Sequence, residues 1–308
     1  LAEKTITSMA HLGARAFGSI SGEVVQTTVC VLKNKYVDNY KPVFHRLLEG
    51  GEEDKRNALI RGEQRYASTA QDEFKKIPGS PVAYWVSESV RTVFLKNLPL
   101  GDLAKPRQGM ASSDDKRFVR LWSEVSRLKS ELDSTSVDLA KNSARKWFPY
   151  DKGGAYRKWY GNNEFIVNWE NDGEEVLGYA ASLYGSPTRT IKNISMYFKE
   201  GITWSAITSG KLSVRFTGIG HIFSNAGMKI FSNGNALLIS QLALLNSKVS
   251  EYLVSCLSQT LNFDQGIIAR LPVIESGQSD VVSQNLITCS RNDWNAYERS
   301  WDFQSFPL

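Results

Sequence analysis

An α+β fold is what this sequence predicts, on three observations. Strand-like and helix-like segments mix without the regular strand–helix alternation of a doubly wound sheet. Residues 160–232 fall into short β-rich runs punctuated by Gly, Asn and Ser: EFIVNWEN, MYFKEGITWSAI, LSVRFTG and GHIFSNAGMKIF. ALLISQLALLNSKVSEYLVSCLS, residues 236–258, is apolar over more than one face, as a buried helix is.

The elements follow in chain order. TITSMAHLG, residues 5–13, reads as a strand running into a turn. GEVVQTTVCVLKNK, residues 22–35, is rich in β-branched residues and reads as a second strand, buried on both faces. Two such strands are too little to fold alone and predict the edge of a larger sheet. Residues 49–81 are polar, with a charged helical centre, and read as a connector. In 82–97, Val82, Trp85, Val86, Val90, Val93 and Phe94 share a broad face, which predicts a helix. LPLGDLAKPRQGMASSDDKRF follows as strand, loop and turn, and residues 116–145 read as mostly helical. LNFDQGIIARLPV returns to strand, and after about 276 the chain is polar.

Composition narrows the function classes. At 308 residues and 42% hydrophobic, the chain can bury a proper core. A net charge of +5 permits a polyanionic partner without demanding one. Cys30, Cys256 and Cys289 have no metal-ligand or redox spacing, which predicts free thiols in a reducing, cytoplasmic setting. His11, His45 and His221 are equally scattered, so no metal site is expected. No apolar run is long enough to span a bilayer, so no membrane partner is expected. The first residues read as the middle of a domain, and the expectation is a piece of a longer protein.

Two motifs are decoys. Phe216-Thr217-Gly218-Ile219-Gly220 has the F-x-G-x-G form of an S-adenosylmethionine loop, which needs a strand before it and a helix after it. HIFSNAGMKIF follows and alternates like a strand, so a tight hairpin turn is expected there and cofactor-binding residues are expected nowhere in this chain. Trp147-Phe148-Pro149-Tyr150 resembles the Asn/Asp-Pro-Pro-Tyr/Phe loop of adenine-N6 methyltransferases, but Phe148 cannot accept a hydrogen bond from an amino group. Phosphate-loop, nucleophile-elbow and nuclease signatures are missing. Asp114-Asp115 and Glu174-Glu175 sit in polar runs and read as solvated. No catalytic residue is assigned.

What remains is RKWFPYDKGGAYRKWYGNN, residues 145–163. Arg145, Lys146, Lys152, Arg157 and Lys158 would neutralise phosphates, and Asn162 and Asn163 would read base edges or lend backbone N–H groups. Trp147, Trp159 and Tyr160 would stack or brace the loop. Lys105, Arg107 and Gln108 form a second polar segment with the same potential. The opposing reading puts the aromatics in the core and leaves the charges merely solvated.

A resemblance enters on these residues. KTITSMAHLGARAFGSISGEVVQTTVCVLKN, KKIPGSPVAYWVSE, PLGDLAKPRQGMASSDDKRFVRLWSEV, RKWFPYDKGGAYRKWYGNNEFIVNWENDG, YFKEGITWS and LALLNSKVSEYLVSCLSQTLNF together resemble the C-terminal half of the adenine-specific DNA methyltransferases of BREX phage defence, the PglX family. The resemblance runs through nearly the whole chain. It implies that residues 1–37 are the last strands of a Rossmann-type methyltransferase sheet and 38–80 a connector. It implies that 81–275 are a DNA target-recognition domain, similar in outline to type I restriction specificity subunits. Residues 276–308, with SWDF, would open a helical region. The implied partners are double-stranded DNA, the catalytic methyltransferase half and other BREX proteins, with phage DNA-mimic proteins as competitors for one basic face. S-adenosylmethionine is implied for the full-length enzyme only. The family's cofactor and N-P-P-Y loops have no counterpart here, so its catalytic residues cannot be placed, and this chain alone is expected to be inactive. The alternative is a protein-interaction module of the defence complex.

Overall fold

The computed structural model describes residues 3–18, 25–208, 210–232, 234–258, 262–274 and 280–306. They divide into two units, Leu1–Lys96 and Asn97–Leu308. Strands and helices mix in both, which gives a mixed α/β architecture.

In the first unit, β1 (Thr5–Gly13) pairs antiparallel with β2 (Thr27–Lys33) and parallel with β3 (Val43–Arg46). β4 (Arg65–Tyr66) closes the order β2-β1-β3-β4. The core beneath β1 is aromatic: Ile6, Phe44, Phe74 and Tyr84 pack together, with Phe44 and Tyr84 stacked at 4.3 Å. Gln71 ties this core to the strand by accepting from the Ile6 N–H and donating to the Lys4 carbonyl. Before α1 (Glu52–Ile60) the chain wraps the buried ammonium of Lys55, which donates to the carbonyls of Leu47, Leu48 and Glu49. α2 (Glu88–Lys96) ends the unit.

Three expectations change here. β2 is a strand but not a buried one: Val29, Val31 and Leu32 stand exposed on the sheet edge. The stretch 38–80, read as a connector with a charged helical centre, has that helix as α1 but also supplies the strands β3 and β4. The helix expected over 82–97 starts only at Glu88, because Tyr84 and Val86 are drawn into the core from irregular backbone.

The second unit opens with α3 (Leu100–Leu103) and the edge strand β5 (Ala104–Arg107). After α4 (Asp115–Phe118), β6 (Val119–Leu121) and α5 (Val137–Asn142) come β7 (Trp147–Asp151), β8 (Phe165–Asn168) and α6 (Glu170–Tyr184). β9 (Gly201–Ser205), β10 (Val214–Thr217), β11 (Ile222–Phe223) and β12 (Gly227–Ser232) follow. The helices α7 (Asn235–Leu245), α8 (Lys248–Leu257), α9 (Gln265–Ala269) and α10 (Asp280–Asn295) complete it. One sheet is antiparallel with order β10-β9-β12-β5, and the other has order β11-β7-β8-β6. A core of Phe118, Phe148, Tyr150, Trp169, Tyr197, Phe223 and their neighbours fills the second sheet's inner side.

Close backbone approach needs glycine at two places. A Cβ on Gly109 would lie 1.8 Å from the Phe223 carbonyl oxygen, and one on Gly227 would lie 2.1 Å from that of Asp151. These contacts pin the end of β7 and the loop after β5 against the β11–β12 connection.

Residues 116–145, expected to be mostly helical, are instead short helical turns around β6. The single helix expected over 236–258 breaks at Asn246 and Ser247, where Ser247 caps α8 by accepting from the Ser250 N–H. The strand expected in LNFDQGIIARLPV is largely replaced by α9, started by Asp264, whose carboxylate accepts from the N–H groups of Gly266 and Ile267, while its end pairs as a strand does, Pro272 opposite Pro99. α6 was not expected: its entry is a left-handed turn at Asn171, Asp172 and Gly173. The hairpin expected at Phe216–Gly220 is a crossover, since β10 pairs with β9 while β11 pairs with β7.

Candidate nucleic-acid interface

The stretch 145–163 folds mostly onto itself. Trp147, Phe148 and Tyr150 lie on β7, which is buried throughout, and Tyr160 is buried too. Trp147 packs with Leu132 and Ile166. Trp159 is half-buried with φ of 72°, its N–H donating to the Val214 carbonyl. The cations are engaged internally. Lys146 lies 3.2 Å from Glu170, and Lys152 lies 2.6 Å from Asp115 and 5.0 Å from the Phe165 ring centroid. Arg157 pairs with Asp293, donates to the Tyr160 carbonyl and stacks on Trp294. Lys158 donates to the Asn246 carbonyl, and Arg145 to that of Leu128. Asn162 donates to the Ala155 carbonyl, and Asn163 is buried. Stacking of Trp147 or Tyr160 on a base would require the core to open.

Lys105, Arg107 and Gln108 are placed differently. β5 is an edge strand, and its two-residue period puts Lys105 and Arg107 on one face, with buried Pro106 between them. Among the described residues, no carboxylate pairs with either cation. Gln108 continues from the strand into a cleft of about 600 Å³, whose wall also includes Lys152, Ser205, Asn225, Asp264 and Gln265. A smaller hollow of about 370 Å³ shares Lys152 and Asn225 with it. The carboxylates beside these hollows all accept from the chain itself. Asp264 caps α9, Asp114 caps α4 by accepting from the Arg117 N–H, and Asp115 pairs with Lys152 and accepts from Ser112. Burial alone would raise Asp115; its bonds to Lys152 and Ser112 win, and its pKa is lowered.

Behind the cleft lies a buried polar network that periodicity does not reveal. Asp151, at the end of β7, accepts from His221 (2.9 Å), Thr217 (3.2 Å) and the Lys229 ammonium (3.4 Å). Arg215 reaches towards the Ser205 hydroxyl, which itself donates to the Gly154 carbonyl. Lys229 and Arg215 are 0% and 1% exposed. Burial alone would raise the Asp151 carboxyl, but Lys229 and His221 outweigh it and hold the pKa at about 2. Burial pushes Lys229 down despite the pull of Asp151, and lowers Arg215 to about 10. The only signal in the sequence is a lone cation inside each of two apolar strands, VRFT and GMKIFS.

The segment Phe216–Gly220 does not fit S-adenosylmethionine, because it leads from strand to strand and offers no helix N-terminus to a ligand. Among the described residues, no group of His, Cys, Asp and Glu could hold a metal ion, and no helix is long and apolar enough to cross a membrane. Cys256 is buried, which raises its thiol to about 11, while Cys30 and Cys289 are exposed.

No family model matches the chain. It is similar to the adenine-specific methyltransferase BrxX of Escherichia coli O9:H4 (strain HS), with 42% identity over 100% of this chain and 24% of that protein. It is similar to the adenine-specific methyltransferase PglX of Lacticaseibacillus casei (strain Zhang), with 37% identity over 97% of this chain and 25% of that protein. The chain thus spans about a quarter of the length of the curated relatives it matches. Among solved structures it is similar to the type IIL restriction-modification enzyme MmeI in complex with DNA, at 9% identity and a TM-score of 0.48, over 98% of this chain and 40% of that one. It is also similar to the type IIG restriction endonuclease BpuSI, at 11% identity and a TM-score of 0.37, over 93% and 38%.

Proposed function

We propose, from the premise that this chain belongs to the BREX adenine-specific methyltransferases, that it is the part of such an enzyme that recognises its double-stranded DNA target. The observation that carries the proposal is the match itself. Nearly every residue aligns with adenine-specific methyltransferases, while no Asn/Asp-Pro-Pro-Tyr/Phe loop occurs in its sequence. Sequence recognition is a task within an adenine-specific enzyme that needs neither that loop nor a cofactor loop.

On this reading the second unit does the recognising, with the outline of a type I specificity subunit, and the sheet of the first unit continues the methyltransferase sheet. The remainder of the enzyme would hold S-adenosylmethionine, which supplies the methyl group. Lys105 and Arg107 support the reading because they are cations on an open edge with no carboxylate partner among the described residues.

The test is duplex binding by anisotropy across a salt series, with selection from a randomised duplex pool. The logarithm of affinity is expected to fall linearly with the logarithm of salt, and a short adenine-containing motif to be enriched. Lys105→Ala and Arg107→Ala should each reduce the salt slope by about 1. Failure to bind at low salt, or binding with no enriched motif, would overturn the proposal.

A further inference from the structure

Among the described residues, two carboxamides beside the cleft have no partner. Gln108 uses its backbone N–H on the Gln265 side-chain oxygen and its carbonyl on Asn193, and its own amide remains unbonded. Asn225 is exposed on the turn between β11 and β12, and its amide has no partner either. It borders both hollows, so it stands on the ridge between them. The backbone here is fixed: Gly109 and Met110 donate to the Ser224 and Phe223 carbonyls, and Asn225 donates back to Met110. Two short loops are therefore locked side by side, each presenting one free amide.

The chemistry of the lining narrows what these amides can meet. No aromatic side chain lines the larger cleft, so it cannot stack the face of an extruded base or of a drug-sized ligand. What it offers is hydrogen bonding to an edge. A guanine edge calls for a free Arg or Lys, yet Lys152, the cation in the cleft's lining, is held by Asp115, and Lys105 and Arg107 stand outside that lining. A cytosine edge calls for a free carboxylate, yet Asp264, Asp114 and Asp115 each already accept from the chain itself. A carboxamide, with one donor and one acceptor side by side, matches the N6 and N7 positions of adenine in the major groove. Lys105 and Arg107, three residues and one residue before Gln108, are on hand to hold the flanking phosphates.

We infer that Asn225 and Gln108 are specificity-determining residues that read adenine edges in the major groove of duplex DNA, with Gln265 positioning Gln108. This rests on the target-recognition reading above and deepens it.

The experiment uses the full-length protein and selection from randomised duplexes, followed by affinity for the selected site and for its single-base variants. A duplex without the motif serves as reference. Asn225→Ala and Gln108→Ala should each lose roughly 5- to 150-fold discrimination at one adenine position, leaving the other positions as selective as before. Gln265→Ala should weaken discrimination at the position lost in Gln108→Ala. If the wild-type protein selects a motif and both Ala variants keep its full preference, the inference fails while the recognition reading stands. A loss equal on all sequences also overturns it, since that marks a phosphate or packing role. If the wild-type protein selects no motif, the recognition reading itself has failed. Asn225 is exposed and lies on a separate loop from Gln108, so the two variants test the inference independently of any fold defect in one of them.

Discussion

Asp151→Asn is the sharpest perturbation of this fold, because it removes one charge and almost no volume. The amide can still bond Thr217 and His221, so the variant isolates the loss of charge beside Lys229 and Arg215. Two magnitudes bracket the effect. A carboxyl lowered from 3.8 to about 2 corresponds to about 2 kcal/mol of folding free energy at neutral pH. Breaking a buried ion pair typically costs about 3–5 kcal/mol, because the partner charge is left uncompensated. A loss of about 2–5 kcal/mol, or roughly 5–20 °C in Tm for a unit of this size, is therefore expected. Urea denaturation followed by tryptophan fluorescence reads it, since every tryptophan but Trp85 belongs to the second unit. Adding Lys229→Met to Asp151→Asn should recover part of the loss, as the uncompensated ammonium is then gone. A midpoint for Asp151→Asn within about 0.5 kcal/mol of wild type would refute the claim that this carboxylate carries the buried cations.

Further expectations follow from the same geometry. The folded pKa of Asp151 is depressed, so its contribution is complete above about 3.8 and drains away as pH falls towards about 2; the stability gap between wild type and Asp151→Asn should narrow across that window in pH-dependent urea melts. Gly109→Ala drives a Cβ into the Phe223 carbonyl and should cost about 3 kcal/mol, whereas Gly178→Ala, on the exposed side of α6 with nothing within 4 Å, should gain about 0.5–1 kcal/mol, both read as urea midpoints. Asn246→Ala removes the side chain that bonds both the N–H and the carbonyl of buried Val214, and should cost about 2–4 kcal/mol in the same assay.

The parts of the fold legible in the sequence are those whose pattern is local. β1, β9, β10 and β12 are short alternating or β-branched runs with turn residues at their ends, and the strands lie where that pattern puts them. The apolar stretch at 236–258 is helical, but the break at Asn246 depends on a long-range event, the capture of Val214 by the Asn246 side chain. IIARLPV reads as strand because it is apolar and β-branched, yet the Asp264 cap winds its first residues into α9 and leaves only Pro272 bridged to Pro99. Val29, Val31 and Leu32 look like core residues in the sequence and are exposed on an edge strand, because a local run of apolar residues says nothing of what covers it. Asp151, Arg215 and Lys229 were invisible as a group because each comes from a different strand, and only the packing of two sheets brings them together.

The stretch 145–163 shows why charge and aromatic content could not settle the interface. Cations beside aromatic rings fit a nucleic acid, and they equally fit the ring stacking and ion pairs that Arg157 makes with Trp294 and Asp293. Exposure of a charge is what distinguishes them, and only the structure reports it. Arg157 is largely covered, so Arg157→Ala should lower the urea midpoint and, through the altered fold, weaken DNA binding on every sequence alike. Lys105 is exposed on a sheet edge, so Lys105→Ala should leave the midpoint unchanged while reducing the salt slope by about 1. Measured together, the two variants separate a residue that holds the recognition surface in shape from one that meets the phosphates. If Lys105→Ala lowered stability and Arg157→Ala changed only the salt slope, the assignment of the two segments would have to be exchanged.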